Sequence, residues 1–255
     1  MALCVFIIGA ILGSFYLVIG TRLPLKDNII TGRSRCDYCK HELSWYELIP
    51  IISYIIQLGR CRSCGKKITK EHLILELITA SLFLIGYLYF GFSLKFGIYL
   101  IIISVALIIF VSDFKYMIIL DSPLVIGSVL IIILRYFEVG LKNTVYSCFY
   151  GIGLFLIMYL IKIIGDKLYK RESLGGGDIK LCFLMGLTLG YPGIGLRLSL
   201  ISLIFASFLA MPYAIATLYL NKKNELPFGP FLISSMIIIF VFIEKFTNLL
   251  VFFSL

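Results

Sequence analysis

The sequence predicts an all-α polytopic membrane protein, with about eight transmembrane helices and a small cytoplasmic four-cysteine zinc-binding loop. Hydrophobic residues make up 60% of the 255 residues and charged residues only 15%, which leaves too little polar surface for a soluble domain. The apolar residues fall into runs of roughly 20, the length of helix that crosses a hydrocarbon core of about 30 Å. Between the first two runs lie four cysteines in two Cys-x-x-Cys pairs.

The apolar runs give the predicted helices in chain order. Their approximate spans are Leu3–Gly20, Leu73–Phe90, Lys95–Ser112, Met117–Phe137, Thr144–Ile164, Ile179–Gly195, Leu198–Leu220 and Phe231–Leu250. No Lys or Arg precedes the first run, so we interpret it as a retained helix and not as a cleaved signal peptide. The predicted organisation is a first transmembrane helix (1–20), a cytoplasmic zinc-knuckle loop (21–72) and a multi-helix transmembrane core (73–255).

Basic residues cluster in alternate connections between the runs. They crowd the loop between Thr21 and His72, flank the glycines near residue 175, and recur at Lys222 and Lys223. The opposite connections contain little more than Lys95, Lys142 and Arg197. The positive-inside rule therefore predicts an outside amino terminus and cytoplasmic basic loops. This topology accounts for the net charge of +9 without nucleic-acid binding.

Cys36, Cys39, Cys61 and Cys64 form two knuckles with the spacing typical of a four-thiolate zinc site. Disulfide bonding is the alternative, but the predicted topology places the loop in a reducing compartment, where disulfides rarely persist. A closed site of four thiolates has no open position for water, so the metal would be structural. With four thiolates present, His41 is not needed as a ligand.

The segment from Trp45 to Gly59, between the knuckles, is apolar but does not fit a membrane span. It is too short, and Pro50 interrupts it. Its aromatic residues suit an anchor at the membrane interface, and core packing beneath the knuckles would explain them equally well. The other three cysteines, Cys4, Cys148 and Cys182, are interpreted as small buried hydrophobic residues.

Two of the few acidic residues in or beside the apolar runs are predicted on one membrane face. Asp113 ends the third run and Asp178 opens the sixth, both on the cytoplasmic side. An ionisable residue at such a place is costly and marks a candidate functional site. If the fold brings the two together, one carboxyl can hold a proton while the other accepts one, as in aspartic-type peptide hydrolysis. No serine–histidine arrangement or His-Glu-x-x-His pattern offers another mechanism.

Gly175, Gly176 and Gly177 directly precede Asp178. We interpret them as a substrate-approach loop, since backbone without side chains lets an extended substrate come close to the carboxylate. The alternative is a flexible turn between helices in which Asp178 is an N-cap. For Asp121, a helix-capping or hydrogen-bonding role is expected.

Several separated motifs together resemble the type IV prepilin leader peptidases, which are bifunctional membrane enzymes. The motifs are Gly13-Ser14-Phe15, Arg22-Leu23-Pro24, Arg33-Ser34-Arg35-Cys36, Ile49-Pro50-Ile51-Ile52-Ser53-Tyr54, Gly59-Arg60-Cys61-Arg62, Asp113, Gly175-Gly176-Gly177-Asp178-Ile179-Lys180 and Pro227-Phe228-Gly229-Pro230-Phe231. Two positions depart from the family pattern. Leu17 stands where asparagine is usual, and Ile119-Leu120-Asp121 replaces Ile-Pro-Asp, so a proline expected near the start of the fourth helix is absent.

The resemblance implies that Asp113 and Asp178 are the catalytic aspartates of a Gly-x-Gly-Asp peptidase, with Gly175 and Gly177 as its two glycines. The implied substrates are prepilins and pseudopilins, cut after a short basic leader at the cytoplasmic face of the bacterial cytoplasmic membrane. Residues 73–255 would then form the peptidase core. Family members with the four-cysteine loop also methylate the new amino terminus with S-adenosylmethionine, for which the sequence identifies no binding residues.

Two other classes of protein stay open from the residues alone. A transporter could use Asp113 and Asp178 as a proton or ion relay. Transporters often carry internal repeats, however, and the glycine run has no second copy in the sequence. A zinc-knuckle scaffold would not need two aspartates at the membrane edge.

Overall fold

The computed structural model describes residues 1–29, 34–36, 38–170, 172–221, 226–243 and 245–246. Its α-helices are α1 (Ala2–Arg22), α2 (Ile52–Ile56), α3 (Glu71–Phe90), α4 (Leu94–Tyr116), α5 (Asp121–Tyr169), α6 (Gly176–Thr188), α7 (Gly195–Asn221) and α8 (Gly229–Val241). The described residues contain no β-strand, so the predicted all-α class is confirmed. Arg33, Arg171, Lys222, Lys223 and the last residues of the eighth predicted span lie outside the described residues.

The chain divides into two compact units, and the boundary in the sequence falls between Phe96 and Gly97. The first unit contains α1, the cysteine loop, α2 and α3, and the second contains the remaining helices from Gly97 onward. Both candidate catalytic aspartates belong to the second unit, and all four clustered cysteines belong to the first.

Within the described residues, five helices are long and apolar enough to cross a membrane, namely α1, α3, α4, α5 and α7. The predicted count of eight spans is not confirmed. The 49-residue α5 covers two predicted spans and is broken at Gly140, whose φ of 80° is not helical. Helix α6 has 13 residues, about 20 Å, because Gly193 (φ 81°) and Pro192 turn the chain after Thr188. The predicted sixth span, Ile179–Gly195, was therefore too long.

Helices α1 and α3 of the first unit pack closely through glycine. A Cβ atom on Gly9 would lie 2.8 Å from the Cα of Ala80, and one on Gly13 would lie 2.7 Å from the Thr79 hydroxyl oxygen. Small residues permit this backbone approach, which is a common basis of helix association in membranes. Gly13, the first residue of the first motif, therefore has a packing role.

Helix α6 lies in the core of the second unit. Leu181, Cys182, Leu184, Met185 and Leu187 are all fully buried on it. A Cβ atom on Gly186 would lie 2.6 Å from the carbonyl oxygen of Tyr150, so the backbones of α5 and α6 are in direct contact. Of the three cysteines predicted to be buried, Cys182 is buried, which confirms the prediction; Cys148 is only half-buried, and the prediction for Cys4, which is exposed, was wrong.

A buried arginine binds the backbone just beyond the end of α6. Arg135 of α5 is 1% exposed; its Nη1 donates to the Thr188 carbonyl (2.6 Å) and its Nη2 to the Gly190 carbonyl (3.1 Å). Carbonyls at a helix C-terminus have no N–H donor within the helix, and here the guanidinium group of Arg135 provides the missing donors. Arg135 was not among the residues predicted from the sequence, although a charge inside an apolar run is itself a signal.

Replacing Arg135 with methionine is expected to destabilise the second unit by about 1–3 kcal/mol, because the buried Thr188 carbonyl loses its donor, while the Gly190 carbonyl keeps its hydrogen bond from the Ser147 hydroxyl (2.7 Å). Lys142→Met removes an exposed positive charge from the same helix and is the matched control. Thermal unfolding in detergent measures both. Equal stability of the two variants would show that the buried contacts of Arg135 contribute little.

Candidate active site and metal centre

Asp113 lies in the last turn of α4, where it is 5% exposed. The N–H of Met117 donates to the Asp113 carbonyl at 2.9 Å, and Met117 then takes a left-handed conformation (φ 55°) that ends the helix. A methionine in this conformation is uncommon, since L side chains disfavour it. The chain therefore turns one helical turn after Asp113.

Asp178 is the third residue of α6. The N-cap of α6 is Gly175, so the alternative in which Asp178 caps the helix is wrong. A carboxylate in the first turn interacts favourably with the unpaired N–H groups and the positive end of the helix dipole. Burial outweighs this effect and, together with the charge of Asp113, raises the pKa of Asp178 to about 7.

The structure brings Asp113 and Asp178 close enough to interact electrostatically. Oδ2 of Asp113 and Oδ1 of Asp178 are both buried, and neither has a hydrogen-bond partner among the described residues. Buried polar atoms are nearly always paired, so an unpaired oxygen on each of two neighbouring carboxyls indicates a site for a polar molecule. The backbone amide of Gly229, at the start of α8, lies against the Asp113 carboxyl group.

Ile119 packs into this site from the link between α4 and α5. A Cβ atom on Gly177 would lie 2.6 Å from the Ile119 Cβ, and one on Gly229 would lie 2.7 Å from the Ile119 Cδ1. Two glycines from different motifs therefore make room for one side chain. The sequence around Ile119 carries no signal for this packing, because Gly177 and Gly229 are distant from it in the chain.

Three further contacts hold the surrounding helices together. Lys180 Nζ binds both carboxylate oxygens of Asp121 at 2.7 and 2.8 Å, which ties the N-terminal part of α6 to the start of α5. The ring of Phe114, next to Asp113, lies 5.9 Å from that of Tyr213 on α7. Tyr213 in turn lies 5.8 Å from Phe231 on α8. The expected hydrogen-bonding role of Asp121 is confirmed.

The four cysteines of the first unit converge. All four Sγ atoms lie within 4.8 Å of one another, with the Cys36–Cys64 and Cys39–Cys61 pairs at 3.9 Å. Four sulfurs placed about 2.3 Å from one ion form a tetrahedron with edges of about 3.8 Å. A disulfide requires about 2.05 Å, and all four thiols are free. The donor set therefore fits a metal ion.

The two knuckles are built alike, 25 positions apart. In the first, Cys36 N–H donates to the His41 carbonyl and Lys40 N–H to the Cys36 carbonyl. In the second, Cys61 N–H donates to the Lys66 carbonyl and Gly65 N–H to the Cys61 carbonyl. Lys40 (φ 59°) occupies the left-handed position that Gly65 (φ 70°) holds in the other knuckle.

The backbone of the first knuckle favours a thiolate. Backbone hydrogen bonds from Cys39 and then Tyr38 lower the pKa of Cys36 to about 6. A thiolate is the form of cysteine that binds metal. His41 is placed elsewhere, with its Nε2 3.6 Å from Oε2 of Glu47, in agreement with its predicted absence from the ligand set.

The molecule is thus a helical membrane protein with two neighbouring aspartates, Asp113 and Asp178, in one unit and a four-cysteine centre in the other. Residues 7–90 match the bacterial Peptidase A24 N-terminal domain, and residues 100–215 match the type IV leader peptidase family. The boundary between these matches lies close to the boundary between the two units. A search of solved structures gave no significant match.

Named relatives align over nearly the whole chain. The chain is 34% identical to a prepilin leader peptidase/N-methyltransferase of Bacillus subtilis, over 93% of this chain and 92% of the relative. It is 32% identical to a protein of the same name from Vibrio cholerae, over 92% of this chain and 94% of the relative. The chain belongs to the prepilin leader peptidase/N-methyltransferase family. It is accordingly an enzyme, and the transporter and scaffold hypotheses are set aside.

Proposed function

We propose that this chain removes the leader peptide from prepilins and related pseudopilins, with Asp113 and Asp178 as its catalytic pair. The observation that carries the proposal is the buried oxygen without a hydrogen-bond partner on each of the two interacting carboxyls. The names of the relatives support the substrate class. The resemblance of Gly175 to Asp178 to a Gly-x-Gly-Asp motif supports the choice of residues.

The chemistry follows from two neighbouring carboxyl groups that share a proton. A water molecule is held between the two carboxyl groups. The water oxygen attacks the scissile carbonyl carbon, and the water gives a proton to the ionised carboxylate. The protonated carboxyl supports the carbonyl oxygen. When the C–N bond breaks, the proton taken from water is delivered to the leaving amine, and the pair returns to its starting state.

The glycines before Asp178 have different surroundings, so we assign them different roles. Gly175 and Gly176 are exposed, and a Cβ atom on Gly175 would lie 2.9 Å from Oδ2 of Asp178. Nothing lies within 4 Å of a Cβ atom placed on Gly176. We propose that the extended substrate backbone approaches over Gly175 and Gly176. Ile119 covers Gly177. The substrate backbone could therefore approach Gly177 only after the Ile119 side chain had moved.

Gly176→Ala and Gly177→Ala form a matched pair that separates substrate approach from packing. Gly177→Ala is expected to destabilise the protein by about 1–3 kcal/mol, because its methyl group overlaps Ile119. The methyl group that Gly176→Ala adds meets no protein atom, so stability should be retained. KM for the prepilin should rise, because the methyl group stands on the proposed approach path. Thermal unfolding and cleavage kinetics measure the two effects. Unchanged kinetics in Gly176→Ala would contradict the proposed approach path.

We propose that cleavage occurs at the cytoplasmic boundary of the bacterial cytoplasmic membrane, with the amino terminus of the chain outside. Lys115 follows Asp113 by two residues, and Lys180 follows Asp178 by two. Lys167 and Lys170 lie just before the glycines. Lysines concentrate on the cytoplasmic side of membrane proteins, which supports this placement of the active site.

We propose that Cys36, Cys39, Cys61 and Cys64 bind one structural Zn²⁺. Four thiolates are an established ligand set of structural zinc, and a complete set leaves no coordination position for substrate. When bound, the ion would supply folding energy to a loop with few buried side chains of its own. The metal takes no part in the proposed hydrolysis.

The relatives' name also supports methylation of the new amino terminus, for which S-adenosylmethionine is the implied donor. Among the described residues there is no β-sheet and hence no nucleotide-binding α/β domain of the usual methyltransferase kind. The structure therefore does not match the common donor site, and no residue is assigned to it.

Mass spectrometry of a co-expressed prepilin tests the whole proposal. Loss of the leader mass shows cleavage and locates the scissile bond, and an added methyl group on the mature terminus shows the second activity. Cells carrying the Asp178→Asn variant provide the background. An intact prepilin in the presence of the folded wild-type enzyme would contradict the proposed function.

A further inference from the structure

The segment between the two cysteine knuckles has an exposed apolar surface. Its aromatic residues Trp45 and Tyr46 are exposed, which contradicts core packing for these two side chains, whereas Tyr54 is half-buried. Trp45 is 78% exposed, Leu58 85% and Ile56 67%, and the remaining exposed members are Tyr46, Leu48, Ile49, Ile52 and Ile55. We call these eight residues the apolar patch. An exposed apolar surface of this kind is typical of a docking site.

A basic segment adjoins the apolar patch. Arg60 to Lys70 contains five basic residues and no acidic residue. The Arg62 guanidinium lies 5.2 Å from the centre of the Tyr46 ring, and that ring lies 5.8 Å from the ring of Trp45. Positive charge and apolar surface are therefore contiguous. A basic leader peptide would be repelled here, whereas an anionic partner with an apolar interior would be attracted.

The patch is held at the level where a membrane helix begins. The N–H of Ile51, at the start of α2, donates to Oε2 of Glu76 at 2.8 Å. Glu76 is a buried residue of α3, and α3 begins at Glu71. The five residues between these positions correspond to about 7 Å along the helix axis. Because α3 is long and apolar enough to cross the membrane, α2 lies at the depth of the membrane–water interface.

We infer that the apolar patch and the adjoining basic segment dock onto the anionic lipid surface of the membrane that the helices span. The aromatic and aliphatic side chains enter the boundary between headgroups and acyl chains, as interfacial segments do. Arg60, Arg62 and Lys66 interact with lipid phosphates, whose negative surface potential attracts basic residues beside a membrane helix. This interaction fixes the four-cysteine loop against the bilayer and does not depend on the proposed catalytic function.

Trp45 is the only tryptophan in the chain, so its fluorescence reports on the patch without any mutation. The full-length protein is reconstituted in phosphatidylcholine vesicles and in vesicles that also contain phosphatidylglycerol. Lipids brominated near the headgroup probe lipid contact, and acrylamide probes contact with water. We expect shallow brominated lipid to quench Trp45 in anionic vesicles, with protection from acrylamide.

Two variants test the charges. Arg62→Gln combined with Lys66→Gln is expected to lower lipid quenching several-fold and to increase acrylamide quenching in anionic vesicles. Lys142→Gln removes an exposed lysine from the second unit and should change neither. Inorganic phosphate added to neutral vesicles should not reproduce the effect of anionic lipid.

Other quenching results would contradict the inference. Trp45 quenched by acrylamide and not by brominated lipid would overturn the inference, because the patch would face water. Protection from both quenchers would overturn it in favour of a protein partner or a second copy. Equal lipid quenching in neutral and anionic vesicles would overturn the part assigned to the basic residues. An effect of inorganic phosphate alone would indicate a site for a free anion.

Discussion

Asp113→Asn and Asp178→Asn are each expected to lower the rate of prepilin cleavage by about 10²–10⁴-fold, because an amide can neither accept nor deliver the proton that hydrolysis requires. Asparagine has nearly the same shape as aspartate, so insertion and stability should be retained. Single-turnover cleavage of a purified prepilin in detergent measures the loss. Cleavage at the wild-type rate by either variant would contradict the assignment of Asp113 and Asp178 as the catalytic pair.

Asp121→Asn is the matched control for these variants. Asp121 carries the same carboxylate and lies eight residues after Asp113, but it is exposed and paired with Lys180. Exposed ion pairs contribute about 0–1 kcal/mol, so this variant should cleave at nearly the wild-type rate. If all three variants lost activity equally, the effect would come from the general charge of the site and not from the pair.

Cys61→Ser is expected to abolish zinc binding and to unfold the four-cysteine loop. Cys61 is a buried member of the cluster, and structural zinc sites bind their ion with apparent free energies of about 10–16 kcal/mol, which the loop uses to fold. Metal analysis should find one zinc per wild-type chain and none in the variant. Limited proteolysis should then cut the variant between residues 34 and 70.

Cys4→Ser is the control, since Cys4 is exposed on α1 of the same unit and lies outside the cluster. It should bind zinc and resist proteolysis as the wild type does. Purified wild-type protein without any metal would count against the zinc site. A different divalent ion at the same stoichiometry would keep the ligands and change the identity of the metal.

The cysteine cluster was predictable because its geometry is local. Two Cys-x-x-Cys turns each impose their own backbone, and the second repeats the first 25 positions later with the same hydrogen bonds. The spacing of Cys36, Cys39, Cys61 and Cys64 therefore carries most of the information needed to place four sulfurs around one ion. Their convergence confirms the predicted cluster.

The helix count was less predictable, because hydropathy does not reveal where a backbone bends. Gly140 breaks α5 by adopting a φ of 80°, and the turn with Pro192 and Gly193 shortens α6. Burial of α6 against α5 also depends on contacts between helices. Arg135 shows the same difficulty, since its partners are the carbonyls of residues more than 50 positions away.

By itself, the sequence determined that this chain is a helical membrane protein with a four-cysteine centre, and its motifs pointed to the peptidase family. These properties depend on composition, run length and short-range spacing. Only the tertiary structure decided that Asp113 is near enough to Asp178 to act on it electrostatically, that Ile119 packs against Gly177 and Gly229, and that the Trp45 segment is exposed. Each of these depends on contacts between residues distant in the chain, which follow from the packing of whole helices and not from any local pattern.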